Sequence, residues 1–87
     1  MKVKEFLTKE NWTQGYYAKD AAGIYCEWSS VLAQKFCLLG ASFKCYPGQK
    51  KTMEGLLDNA CGEAAVWNDQ PGRTFEEVKA LVEKLDI

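Results

Sequence analysis

Apolar residues recur along this chain at helical spacing in four places, and one stretch between them breaks the rhythm. Val3, Phe6 and Leu7 fall at i, i+3 and i+4, which predicts a short first helix near 2–10 with Lys and Glu outward. The break follows in "NWTQGYYAKDAAGIYCEW". Here the β-formers Tyr16, Tyr17, Ile24, Tyr25 and Trp28 surround a turn cluster at 20–23, and the pattern predicts a small hairpin with strands near 15–18 and 23–27. A lone two-stranded hairpin is marginal in water, so this one has to pack against helices.

Helical spacing then resumes. Ser29 or Ser30 is placed to cap a second helix. Leu32, Phe36, Leu39 and Phe43 form one stripe, while Ala33, Cys37, Gly40 and Ala41 form a second face of small residues. Apolar residues on most sides predict a central, largely buried helix, ended by Pro47 and Gly48. A glycine costs about 1 kcal/mol relative to alanine in an exposed helix. The expected purpose of Gly40 is therefore the close approach of a neighbouring segment.

A third helix is expected from about 52 to 65, because Met53, Leu56, Leu57, Ala60, Cys61 and Ala64 form an amphipathic series. Gly62 lies on its outer face or marks an early end. The fourth starts after Thr74, which with Glu77 makes a capping box. Phe75, Val78, Leu81, Val82 and Leu85 line its apolar face. The expected fold is mainly α, in a single domain over 1–87: four helices around one small core, with a small β-hairpin between helices 1 and 2.

Composition supports that core. Apolar residues make up 47% of the 87, with three Trp, four Tyr and four Phe, enough to offset ordering entropy. The net charge of −1 provides no field to steer the chain onto nucleic acid or an anionic membrane. Lys44, Lys50 and Lys51 read as a solvated loop or as a small phosphate-binding patch. No apolar run approaches the roughly 18 residues of a membrane span. Lys2, Lys4 and Glu5 interrupt any signal-peptide core, so a soluble cytoplasmic protein is expected.

The four cysteines, Cys26, Cys37, Cys45 and Cys61, contain no C-x-x-C pair. They read as small buried hydrophobes in a reducing compartment, ahead of an all-thiolate zinc site or a disulfide framework. The absence of histidine removes Ser-His and Cys-His nucleophile pairs and leaves acid–base work to carboxylates, Lys or Tyr. No catalytic residue, metal or cofactor is assigned.

The candidate surface comes from two tryptophan stretches. "WNDQPGRTFEEV" at 67–78 sets Trp67, Asn68, Asp69 and Arg73 beside a turn and a helix start. Each has a structural occupation: Asn68 and Asp69 suit turn hydrogen bonds, Arg73 can pair with Asp69 or with the carbonyl end of the third helix, and Trp67 can anchor the loop. The functional alternative joins them to Trp12, Thr13 and Gln14 of "WTQG" as a polar rim with two aromatic walls.

Together "WTQG", "YAKDAAG", "FCLLGA" and "WNDQPGRTFEEV" resemble a family of small uncharacterised bacterial and bacteriophage proteins, classed as a domain of unknown function. The family pattern reads W-T-Q-G, A-x-D-x-x-G, C-L-L-G-A, then W-N-D-x-P-G-R-T-x-x-E-V. The likeness extends over about 6–85; the segment 24–30 departs from it by lacking a Pro/Asp-rich loop. By analogy the resemblance implies a small accessory protein acting on a host factor. Two classes of function follow. One is a non-enzymatic binding protein that contacts a protein partner or a second copy of itself, with surplus aromatics at Tyr16, Tyr17, Tyr25, Trp28 and Tyr46. The other is a small-molecule binder or hydrolase centred on Asp69, with Asn68, Arg73 and Gln14 orienting.

Overall fold

Thr74 and Glu77 close the predicted capping box: the Thr74 hydroxyl accepts from the Glu77 N–H, and the Glu77 carboxylate accepts from the Thr74 N–H. The helix they start, α5, is Phe75–Leu85, and it buries Val78 and Val82. It closes a chain described by a computed structural model over residues 1–87. The other elements are α1 Val3–Phe6, β1 Ala18–Lys19, β2 Tyr25–Cys26, β3 Lys35–Phe36, α2 Leu38–Cys45, a short 3-10 helix Pro47–Gln49, α3 Lys50–Cys61 and α4 Ala64–Asp69. The fold is helix-rich and mixed, with five α-helices, not four, and a three-stranded antiparallel sheet in the order β2-β1-β3.

The first helix ends at Phe6 and does not reach 10. Thr8 and Asn11 explain the stop. The Thr8 N–H donates to the Asn11 side-chain oxygen at 2.6 Å, the Asn11 N–H returns to the Thr8 hydroxyl, and the Asn11 amide donates to the Phe6 carbonyl. Such local side-chain bonds give the backbone an alternative to helical pairing.

The hairpin is present, but its strands are only two residues each, with Ala18 opposite Cys26 and Lys19 opposite Tyr25. Asp20 makes the turn: its carboxylate accepts from the N–H groups of Ala22 and Ile24, and Gly23 takes φ +82°. The pattern missed the third strand. The central helix begins at Leu38, not at 29 or 30. Ser30 caps a turn, accepting from the Leu32 N–H at 3.0 Å. Lys35 and Phe36 pair with β1, and Phe36 also exchanges backbone bonds with Asn11 and Thr13 on its other side. The Leu32-to-Phe36 step of the stripe was therefore a coincidence of spacing; Leu32 is 64% exposed and Phe36 lies in the core.

From Leu38 onward the expectation holds. Residues 38–43 of α2 are all buried, and α2 sits between α1, α3 and α4. Gly40 is required by close approach: a Cβ there would stand 1.9 Å from the Tyr17 carbonyl oxygen. That oxygen is fixed, because it accepts the Cys37 N–H. The third helix ends at Cys61, short of 65, because Gly62 takes φ +82°. The chain restarts as α4, whose Ala64 N–H is taken by the Asp58 carboxylate of α3 at 2.9 Å.

Candidate functional site

The break at Gly62 turns the "WND" stretch into the end of a helix, where a loop was expected, and so directs Asn68 into the protein. Asn68 is completely buried. Its oxygen accepts from the Trp12 indole N–H at 2.8 Å and from the Leu38 N–H at 3.0 Å. Its amide nitrogen donates to the Thr13 carbonyl at 3.2 Å and to the Asp69 carboxylate at 2.9 Å. An asparagine side chain offers two acceptor sites and two donors, and all four are used. Three of the four partners are distant in sequence, unlike the local turn bonds expected of this residue; only Asp69 is a neighbour.

The two tryptophan stretches do meet. Gln14 donates to the carbonyls of Asn68 and Gln70, and the Gly15 N–H donates to the Asp69 carboxylate at 2.9 Å. Thr13 and Gln14 are half-buried where exposed groups were expected. Arg73 takes neither of its two expected partners, Asp69 or the carbonyl end of the third helix, and turns to α4. Its Nε donates to the Trp67 carbonyl at the end of α4, its plane lies 3.9 Å from the Trp67 ring centre, and it pairs with Glu77 at 3.0 Å. Its pairing, together with the Thr74 N–H, holds the Glu77 carboxyl below the usual range, the Thr74 bond being the larger cause.

The expected aromatic walls are not formed. Trp12 packs on Phe75 at 6.4 Å and Trp67 lies under Arg73. The cleft beside Asp69 is lined by Gly15, Tyr16, Tyr17, Cys37 and Ala65, and holds about 140 Å³. Asp69 is exposed and is the carboxylate at its rim. The Cys37 thiol caps α2 by accepting the Gly40 N–H at 3.3 Å, and burial pushes its pKa up, so it stays a thiol at neutral pH. Burial raises Cys45 and Cys61 as well. Of the four free thiols only Cys37 is buried; Cys26, Cys45 and Cys61 are half-buried, which corrects the expectation of four core positions. No three Cys, Asp or Glu side chains converge as a metal-holding group. No helix is long and apolar enough to cross a membrane.

Sequence reasoning missed one surface. Val31 is 92% exposed and Ile24 64%, and Val31 and Leu32 line a shallow depression with Ala21 and Ala22 at the hairpin tip. Assigning 31 and 32 to a buried helix concealed it. Tyr25, 62% exposed and stacked on Tyr16 at 4.5 Å, extends the outer face; the surplus of aromatics was the available signal.

Searches of the curated proteins and of the solved structures found no match. A family match covers residues 1–85, nearly the whole chain, and the protein belongs to the Family of unknown function (DUF6197).

Proposed function

We propose that this is a non-enzymatic binding protein that works in the cytoplasm as a small accessory factor, contacting a host protein through the apolar surface at the hairpin tip. The observation that carries the reading is the exposure of Val31 and Leu32 in one depression with Ala21 and Ala22, with Ile24 and Tyr25 also exposed on the same hairpin. Contiguous exposed apolar surface on a small domain marks an interaction site. The polar groups of the two tryptophan stretches support it from the other side, since Asn68, Gln14 and Arg73 are occupied in holding the chain together.

The catalytic alternative at Asp69 has less behind it. One oxygen of that carboxylate already accepts two hydrogen bonds; of the two depressions it borders, one holds only about 140 Å³, under half the roughly 300 Å³ at which ligand pockets begin, and the other, about 330 Å³, is an open hollow lined by Ala65, Val66, Gln70 and Pro71 with no second ionisable group.

The test is affinity capture from host lysate with the natural sequence and with I24E/L32E, alongside light scattering for self-association. A specific partner, or a dimer, lost in the double variant while its circular dichroism is unchanged supports the proposal. A strictly monomeric protein that retains no partner, or one whose partner is insensitive to I24E/L32E, overturns it.

A further inference from the structure

A second cleft, distinct from the hairpin-tip surface, lies between the sheet and the start of α3. Tyr17, Glu27, Trp28, Phe43, Lys50, Lys51 and Glu54 line it, and it holds about 310 Å³. Phe43 forms its floor, with the Trp28 ring edge-on at 5.9 Å and the Tyr17 ring at 6.0 Å. The Lys50 ammonium sits over two of these rings, 5.2 Å from the centre of Phe43 and 5.7 Å from that of Trp28.

Three further observations give this a direction. Lys50 forms no ion pair; the three in the protein join Lys2 and Lys4 to Asp86 and Arg73 to Glu77. Glu27 and Glu54 at the rim are likewise in no ion pair. Lys50 is also the first residue of α3, where the helix dipole disfavours a cation. An exposed ammonium thus lies on aromatic faces with no carboxylate within 4 Å of it. What holds it is the attraction of ring faces for positive charge, the same attraction by which aromatic cages take quaternary ammonium groups.

We infer that this cleft is an aromatic cage for a methylated ammonium group, with Lys50 as a displaceable internal occupant. When Lys50 swings out, Trp28, Phe43 and Tyr17 face the ligand. Glu27 and Glu54 then outnumber Lys51 among the remaining charges, so the emptied cleft favours a cation. The volume stands at the lower limit for ligand pockets and suits a trimethylammonium head.

The experiment titrates tetramethylammonium chloride against the full chain, following the backbone amides of 17, 27, 28, 43, 50 and 54 by nitrogen–proton NMR, with sodium chloride and inorganic phosphate as controls. Binding localised to these residues is expected, strengthened about tenfold in K50Q, because removing an internal competitor worth about 1.4 kcal/mol changes affinity by that factor. E27Q/E54Q, which leaves the rings in place, is expected to weaken it, and W28A to abolish it with the fold checked by circular dichroism. Choline and a trimethyllysine peptide, run in parallel, distinguish a headgroup from a modified protein as the natural source. Shifts confined to other residues, K50Q binding no tighter than the natural sequence, or phosphate binding that K50Q destroys would each overturn the proposal.

Discussion

Replacing Asn68 tests whether one buried amide unites the two tryptophan stretches with α2. In N68A the Trp12 indole N–H, the Leu38 N–H and the Thr13 carbonyl all lose their partner. A buried polar group left unsatisfied costs about 1–3 kcal/mol. Trp12 is only half-buried, so water recovers part of its bond. The total is then about 3–5 kcal/mol, a large share of the 5–15 kcal/mol by which small domains are stable. For a domain of this size that lowers Tm by on the order of 20 °C. N68D adds a control of different sign. It keeps both acceptor bonds but replaces the donor amide with an oxygen facing the Thr13 carbonyl and the Asp69 carboxylate. Burial and that neighbour raise the folded-state pKa of the new carboxyl above its unfolded value. Its ionised form is therefore penalised, and the N68D deficit is greatest at neutral pH and shrinks as pH falls toward 4. The assay is urea unfolding by circular dichroism at several pH values, with the Trp12 indole proton followed by NMR. A loss below about 1 kcal/mol in N68A, with that proton unshifted, would refute the reasoning.

Three further outcomes follow from the geometry. Gly40→Ala is expected to destabilise by about 3 kcal/mol or to prevent folding, because its methyl meets fixed backbone; Gly55→Ala, in α3 with open space around it, should stabilise by about 0.5–1 kcal/mol, and thermal unfolding of both checks the pair. Lys4 and Lys2 hold the Asp86 carboxyl down from 3.8 to about 2, so its contribution is present above about pH 4 and is lost as pH falls through 2. D86N should flatten the acid limb of stability in that window, and added salt should mimic it, since both lysines are solvent-exposed at the contact. Alkylation with iodoacetamide at neutral pH should leave Cys37 the slowest of the four cysteines, and mass spectrometry of timed digests gives the order.

The parts of the fold legible in the sequence are those where local chemistry and long-range packing agree. α5 is the clearest, because its cap and its apolar face both lie within the twelve positions 74–85. The Asp20 turn and the role of Gly40 were legible for the same reason. The stretch 29–37 was not: its spacing suits a helix, but backbone partners at Asn11, Thr13 and Lys19 draw it into a strand, and periodicity cannot see them. Four of the candidate residues, Trp12, Gln14, Asn68 and Asp69, do meet. Their orientation was illegible, because it depends on Gly62 ending one helix and starting another. That choice of early end over outer face is made by φ +82°, which no neighbouring residue type announces.

The sheet has a lopsided border. Phe36 of β3 spends both its outward backbone groups on Asn11 and Thr13, which seals that side. Only β2 lies open, and it is two residues long. Sheet edges recruit foreign strands in proportion to the row of free N–H and C=O groups they expose. A border this short offers little foothold to a foreign strand, so the greasy residues at the hairpin tip are not backed by an edge that could extend their contacts into a sheet.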